Sequence, residues 1–158
     1  MAATDSSAMA TSDREIVITR VFDAPRELVF EVWTDPEHMV QWWGARGFTT
    51  TIHEMDVRPG GVWRFVMHGP DGTDYDNKVV FVEVVKPERL LYDHGAGDES
   101  DLPPFRETVT FDEEGDKTRL TMRAVFISPA DRDKAAEFGA IEGGNQALDR
   151  LGEYLAKA

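Results

Sequence analysis

The hydrophobic and polar positions of this chain fall into three textures. Residues 15–22, EIVITRVF, alternate and are rich in β-branched side chains, which predicts a strand. Asp23-Ala24-Pro25 then supplies a helix start, with Leu28, Val29, Val32 and Trp33 at helical spacing. Asp35-Pro36-Glu37 repeats that signal and opens a second short helix through His38 to Trp42, ended by Gly44. From Phe48 to Phe126 the pattern changes to strands over 49–57, 62–68, 73–85, 90–94, 105–111 and 118–126. The turn sequences between them, among them RPGG, GPDG, KPER and EEGD, are short enough to join antiparallel neighbours. Residues 95–104, acidic and with two prolines, read as a surface loop.

Ser128-Pro129-Ala130-Asp131 is a third helix start, and the pattern predicts one helix to about Ala156, roughly 40 Å long. Its apolar stripe is Ile141, Gly144, Leu148, Leu151 and Leu155. The expected fold is therefore α+β: a seven-stranded curved antiparallel sheet wrapped around a long C-terminal helix, with two short helices after the first strand. Residues 14–158 are expected to form one domain, and residues 1–13 a disordered polar tail.

Gly139, Gly143 and Gly144 all fall inside that last helix, and each costs about 1 kcal/mol relative to alanine. Two explanations are open: a close approach of the helix backbone to bulky sheet residues, or space left for a ligand at Gly144. Alternation bears on the second. Trp63, Phe65 and Met67 share one strand face, and Leu120, Met122, Ala124 and Phe126 share another. With these faces turned inward, Trp, Phe and Met side chains line an interior suited to an apolar or aromatic molecule. A tryptophan at position 144 is then expected to block uptake and leave the domain folded.

The chain has no cysteine, which removes thiol chemistry and Cys-based zinc sites. Its net charge of −13, from 30 acidic and 17 basic residues, repels phosphate backbones and anionic membranes. No basic patch, apolar spanning run or secretory pattern is evident, so a soluble cytoplasmic protein with no nucleic-acid or membrane partner is expected. The four histidines, His38, His53, His68 and His94, form no HxxxH or HExxH pair, and no metal or cofactor is expected. There is also no Gly-x-Ser-x-Gly elbow and no phosphate-binding glycine loop.

Residues 22–30 (FDAPRELVF), Pro36-Glu37 with Gln41-Trp42-Trp43-Gly44, and residues 56–65 (DVRPGGVWRF) resemble the activator of heat-shock protein ATPase-type (AHSA1-like) family of the START-like, or SRPBCC, superfamily. Gly69-Pro70-Asp71-Gly72, Pro87-Glu88-Arg89-Leu90, Thr118-Arg119-Leu120-Thr121 and Leu148-Asp149-Arg150-Leu151 extend the likeness in order along nearly the whole chain. The resemblance implies the helix-grip (START/Bet v 1-like) fold, with a hydrophobic cavity between sheet and long helix. Proteins of the wider superfamily include lipid carriers, hormone receptors and polyketide cyclases. The co-chaperone behind the family name carries an additional N-terminal domain, whereas only a short polar tail precedes the first strand here, so ATPase stimulation is not carried over. Many members also show Gly-Trp where this chain has Gly144-Asn145.

The leading expectation is a protein that binds a small hydrophobic or aromatic molecule through Trp42, Trp63, Phe65, Met67, Tyr75, Glu107, Met122, Phe126, Gly144 and Leu148. The alternatives are a cofactor-free cyclase or isomerase, and a co-chaperone-like partner protein in the stress response. An exposed strand edge would also allow a homodimer. Tyr75, Glu107, His68 and Tyr92 are the acid–base candidates on strands. Alternation puts Glu107 on the Val109/Phe111 face, where burial would raise its pKa, but a solvated position near the strand end is the preferred reading. His68 is expected at the rim, with Arg64 and Arg123 paired to acids outside. Trp42 and Trp43 project about 100° apart on a helix, so one should pack with Trp33 and Leu28 while the other shields the open end.

Overall fold

The computed structural model describes residues 13–95 and 103–157. Strands β1 (Glu15–Phe22), β2 (Thr49–Met55), β3 (Val62–His68), β4 (Asp74–Val85), β5 (Arg89–His94), β6 (Phe105–Glu114) and β7 (Lys117–Phe126) form one sheet. Its order is β1-β7-β6-β5-β4-β3-β2, antiparallel at every pairing. From β2 to β7 the chain is thus a meander, as its short turns dictate. Helices α1 (Arg26–Thr34) and α2 (Pro36–Met39) carry it from one edge strand, β1, to the other, β2. Irregularities in register at Ile52/Glu54 and Phe81/Glu83 place bulges in the β2–β3 and β4–β5 pairs, which bend the sheet.

Local chemistry explains the two short helices. The Pro25 carbonyl accepts from the backbone N–H of Leu28 and Val29 and begins α1. Asp35 then stops it. The residue before a proline is disfavoured in the α region, and Asp35 is extended, with φ −98° and ψ 119°. Its carboxylate caps α2 by accepting from the Glu37 N–H at 2.9 Å. Helix α1 buries Val29, Phe30, Val32 and Trp33.

The long C-terminal helix is interrupted, contrary to the expectation of one continuous rod. Helix α3 (Pro129–Glu137) begins at the Ser128 cap, whose hydroxyl accepts from Asp131 at 3.1 Å. Gly139 then adopts φ +87°, and α4 (Ala140–Lys157) starts anew. Only glycine enters this left-handed region without strain, so Gly139 is a helix terminator and carries no helix-interior penalty. The 18 residues of α4 span about 27 Å. Gly139→Ala is expected to cost about 1 kcal/mol by forcing a Cβ into that conformation. Gly143→Ala, whose new methyl would meet only Ala45 at 4.0 Å, should gain up to about 1 kcal/mol from helix propensity. Opposite shifts of the urea midpoint would verify the pair.

The stripe of α4 that reaches the core is Ala147, Leu148, Leu151 and Leu155; Ile141, expected on it, stays 37% exposed. Gly144 settles the question of the missing side chain in favour of close approach. A Cβ there would lie 2.7 Å from Cδ1 of Ile18 on β1, so Ile18 occupies the expected hollow. A tryptophan at 144 would therefore press on β1, and the expectation that it blocks uptake without disturbing the fold is withdrawn. The inward sheet face and the α4 stripe form one continuous apolar cluster, joined by α1, Met39 and Trp42.

Candidate functional site

On the inward face of β3 the alternation holds: Trp63 and Phe65 are both 1% exposed, while Met67 at the strand end is half-buried. Phe126 and Leu148 are buried and Met122 is half-buried. Tyr75 faces the same way as Asn77, Val79 and Phe81, yet it is 46% exposed. It pairs with Met67 beyond the last residue of β5, so the sheet leaves it uncovered at the rim, and its ring approaches Phe48 with centroids 6.1 Å apart. The expected inward position of Tyr75 is not realised. His68 lies at the rim as read, hydrogen-bonded to Thr51 and Asp74. Arg64 and Arg123 pair with Glu54 and Glu15 at 3.1 and 3.6 Å.

The tryptophans divide the plug and shield roles unevenly. Trp42 is fully buried, stacks obliquely on Trp33 at 4.9 Å, and donates its indole N–H to the Val32 carbonyl at 3.1 Å. Trp43 is half-buried and lies against Trp63 and Phe65, at 5.2 and 6.0 Å. Aromatic rings therefore fill much of the space beside α1 and α2. The indole N–H groups of Trp33, Trp43 and Trp63 are buried without a hydrogen-bond partner among the described residues. Each such donor withheld from water costs about 1–3 kcal/mol.

Glu107 departs most from its preferred reading. It is buried, 5% exposed, and sits between Tyr92 on β5 and Ala124 on β7. The Tyr92 hydroxyl donates to its carboxylate at 3.2 Å, and it forms no ion pair among the described residues. Burial is the main cause that raises its pKa to about 7, opposed only by the Tyr92 hydrogen bond. Burial first, and the neighbouring carboxylate second, push the Tyr92 phenol well above its ordinary range. Tyr92 in turn lies edge-on to Trp63 at 6.0 Å and to Phe81 at 5.8 Å. Trp43, Trp63, Tyr92 and Glu107 thus make one contiguous row, with apolar bodies and polar tips.

His94 continues that row. Its Nε2 is 3.0 Å from the Asn77 side-chain oxygen, and its ring packs on Phe105 at 4.8 Å. At the level of sequence His94 is weighed only as a metal ligand and Asn77 not at all, although Leu90, Tyr92 and His94 alternate onto one face and make the histidine findable. Two open grooves, of about 680 and 390 Å³, lie elsewhere, and none of the ten expected ligand residues lines either. Among the described residues no helix is long and apolar enough to cross a membrane.

A family model described as Activator of Hsp90 ATPase homolog 1-like protein matches residues 23–156. The chain belongs to that family. Among solved structures, this chain is similar to protein Ms6760 from Mycobacterium smegmatis, with 28% identity, a TM-score of 0.83 and 92% of each chain covered. A protein from Arthrobacter aurescens is also 28% identical, with a TM-score of 0.87 over 94% of this chain and 89% of that one. The AHSA1 protein from Silicibacter pomeroyi, at 20% identity, shares the fold with a TM-score of 0.74 over 90% and 97%. No curated protein matches significantly. The α+β architecture is the one these neighbours share, and it is consistent with the helix-grip arrangement.

Proposed function

We propose that this domain binds a small, mainly apolar or aromatic molecule between the concave sheet face and α4, anchored by Glu107 and Tyr92. The carrying observation is the carboxyl of Glu107, buried in an aromatic surround with no ion pair among the described residues. A buried acid with no cation weakens a fold, and such groups mark sites with a use for them. The indole N–H groups of Trp43 and Trp63, further along the same row and unpartnered among the described residues, supply donors for a polar atom on the ligand. A molecule with one hydrogen-bond donor for Glu107 and a flat apolar body fits this chemistry. Ligand entry then requires Trp43, the half-buried member of the row, to give way.

The aromatic amine 1-aminoanthracene has that shape and donor. Its fluorescence is expected to rise saturably at one equivalent of protein. At pH 8 Glu107→Gln, which keeps an acceptor oxygen but removes its charge, should weaken binding about tenfold, the difference between a charged and a neutral buried acceptor. Trp43→Ala should tighten it by clearing space against Trp63 and Phe65. If neither the wild type nor Trp43→Ala binds the probe saturably, the interior is not a ligand site.

A further inference from the structure

The larger groove, of about 680 Å³, lies between α4 and α2 with the segment that follows it, and no member of the Glu107 row lines it. In a chain of net charge −13 its lining has the opposite sign: Arg46, Arg150 and Lys157 against the single carboxylate of Glu153. That carboxylate is already engaged, accepting from Arg46 at 2.5 and 3.3 Å. Arg150 and Lys157 form no ion pair among the described residues.

The Arg150 side chain is held in place from one end. Its Nη1 faces four carbonyls, those of Trp43, Gly44, Ala45 and Phe48, at 3.4, 3.0, 3.2 and 3.2 Å. These bonds fix the guanidinium plane and tie α4 to the loop before β2. They leave Nε and Nη2 without a partner among the described residues, on a side chain that lines the groove. A planar guanidinium with one edge fixed and the other free is arranged to bind two oxygens side by side. Because the plane is preset, little conformational freedom remains to be lost on binding.

We propose that this groove is a second ligand site, separate from the interior, that takes the oxyanion group of a small organic molecule on the free edge of Arg150, with Lys157 adding long-range attraction. A carboxylate and a phosphate monoester share the required chemistry.

Titration with benzoate, phenyl phosphate and neutral benzamide, followed by the Arg150 Nε–H resonance in nitrogen-15 correlation spectra, tests the site. The expected result is a saturable shift with one or both anions and none with benzamide; the tighter anion identifies the preferred group. Gln41→Glu adds a negative charge to the groove at an exposed position and leaves the carbonyl clamp intact. It should weaken anion binding about three- to tenfold through like-charge repulsion in a solvated groove. Absence of a saturable shift with both anions, an equal response to benzamide, or unchanged affinity in Gln41→Glu would each overturn the proposal. Fluorescence of bound 1-aminoanthracene should not respond to benzoate, so failure at one site is distinguishable from failure at the other.

Discussion

Glu107→Gln is expected to stabilise the domain by about 3 kcal/mol at pH 8 and to change it little at pH 4. The sign follows from the direction of the shift. In the unfolded chain this carboxyl titrates near its ordinary value of 4.5, whereas in the folded chain it titrates at about 7. Between those values the folded state holds a proton that the unfolded state has released. The stability this confers is complete below about pH 4.5 and is lost as pH rises to about 7, where the penalty levels off. Glutamine is neutral throughout and keeps a carbonyl oxygen for the Tyr92 hydroxyl. Urea unfolding of both proteins from pH 4 to pH 8 isolates the effect, because the remaining charges are common to both. Parallel stability curves would show that Glu107 is solvated in the folded protein and would remove the basis for the interior site.

Trp42→Ala should be the most damaging single truncation, costing about 3–5 kcal/mol. The indole is fully buried, sits 4.9 Å from the Trp33 ring, and supplies the hydrogen bond to Val32 that links the turn after α2 to α1. Alanine would leave a large cavity and an unpaired carbonyl together. Against a total stability of about 5–15 kcal/mol, that loss lowers the melting temperature by about 6–20 °C. Trp43→Ala, at a half-buried position with no hydrogen bond from its indole nitrogen among the described residues, should cost clearly less. Calorimetry on the two variants tests whether plug and shield are separate roles. Equal losses would mean that both rings brace the core alike.

The two tryptophans illustrate what could be read in advance. The pattern predicts a helix that runs through Trp42 and points the two rings apart, whereas α2 ends at Met39 and both rings lie on the turn that follows; their burial is unequal all the same, and which ring became the plug depended on where Val32 and Trp33 came to lie. Glu107 is the opposite case. Alternation placed it on the Val109/Phe111 face, but its nearness to the strand end argued for water. The pairing of β6 with β5 and β7 on its two sides decided the matter, since both neighbours extend past Glu107 and cover it. Tyr75 failed in the complementary way. Its face was correct, but β5 ends at His94 and leaves that end of β4 bare on one side. Arg150 gave no signal, because nothing in a one-dimensional pattern distinguishes an arginine flanking an apolar stripe from any other solvated cation.

Hydrophobic alternation, proline–acid helix starts and short turn sequences are local, and each acts within a few residues of chain. They determined the seven strands, the two short helices and the inward faces, and with the ordered motifs they determined the family. Distances across the fold are set by how twisted strands and helices meet, which no local rule encodes. Only the tertiary structure showed that Ile18 fills the place beside Gly144, that Gly139 divides the last helix, that a carboxyl is sealed beside Tyr92, and that one edge of Arg150 is left free. The contacts of Ile18 with Gly144 and of Arg150 with residues 43–48 join positions more than a hundred residues apart, whose separation becomes definite only when the sheet closes against α4.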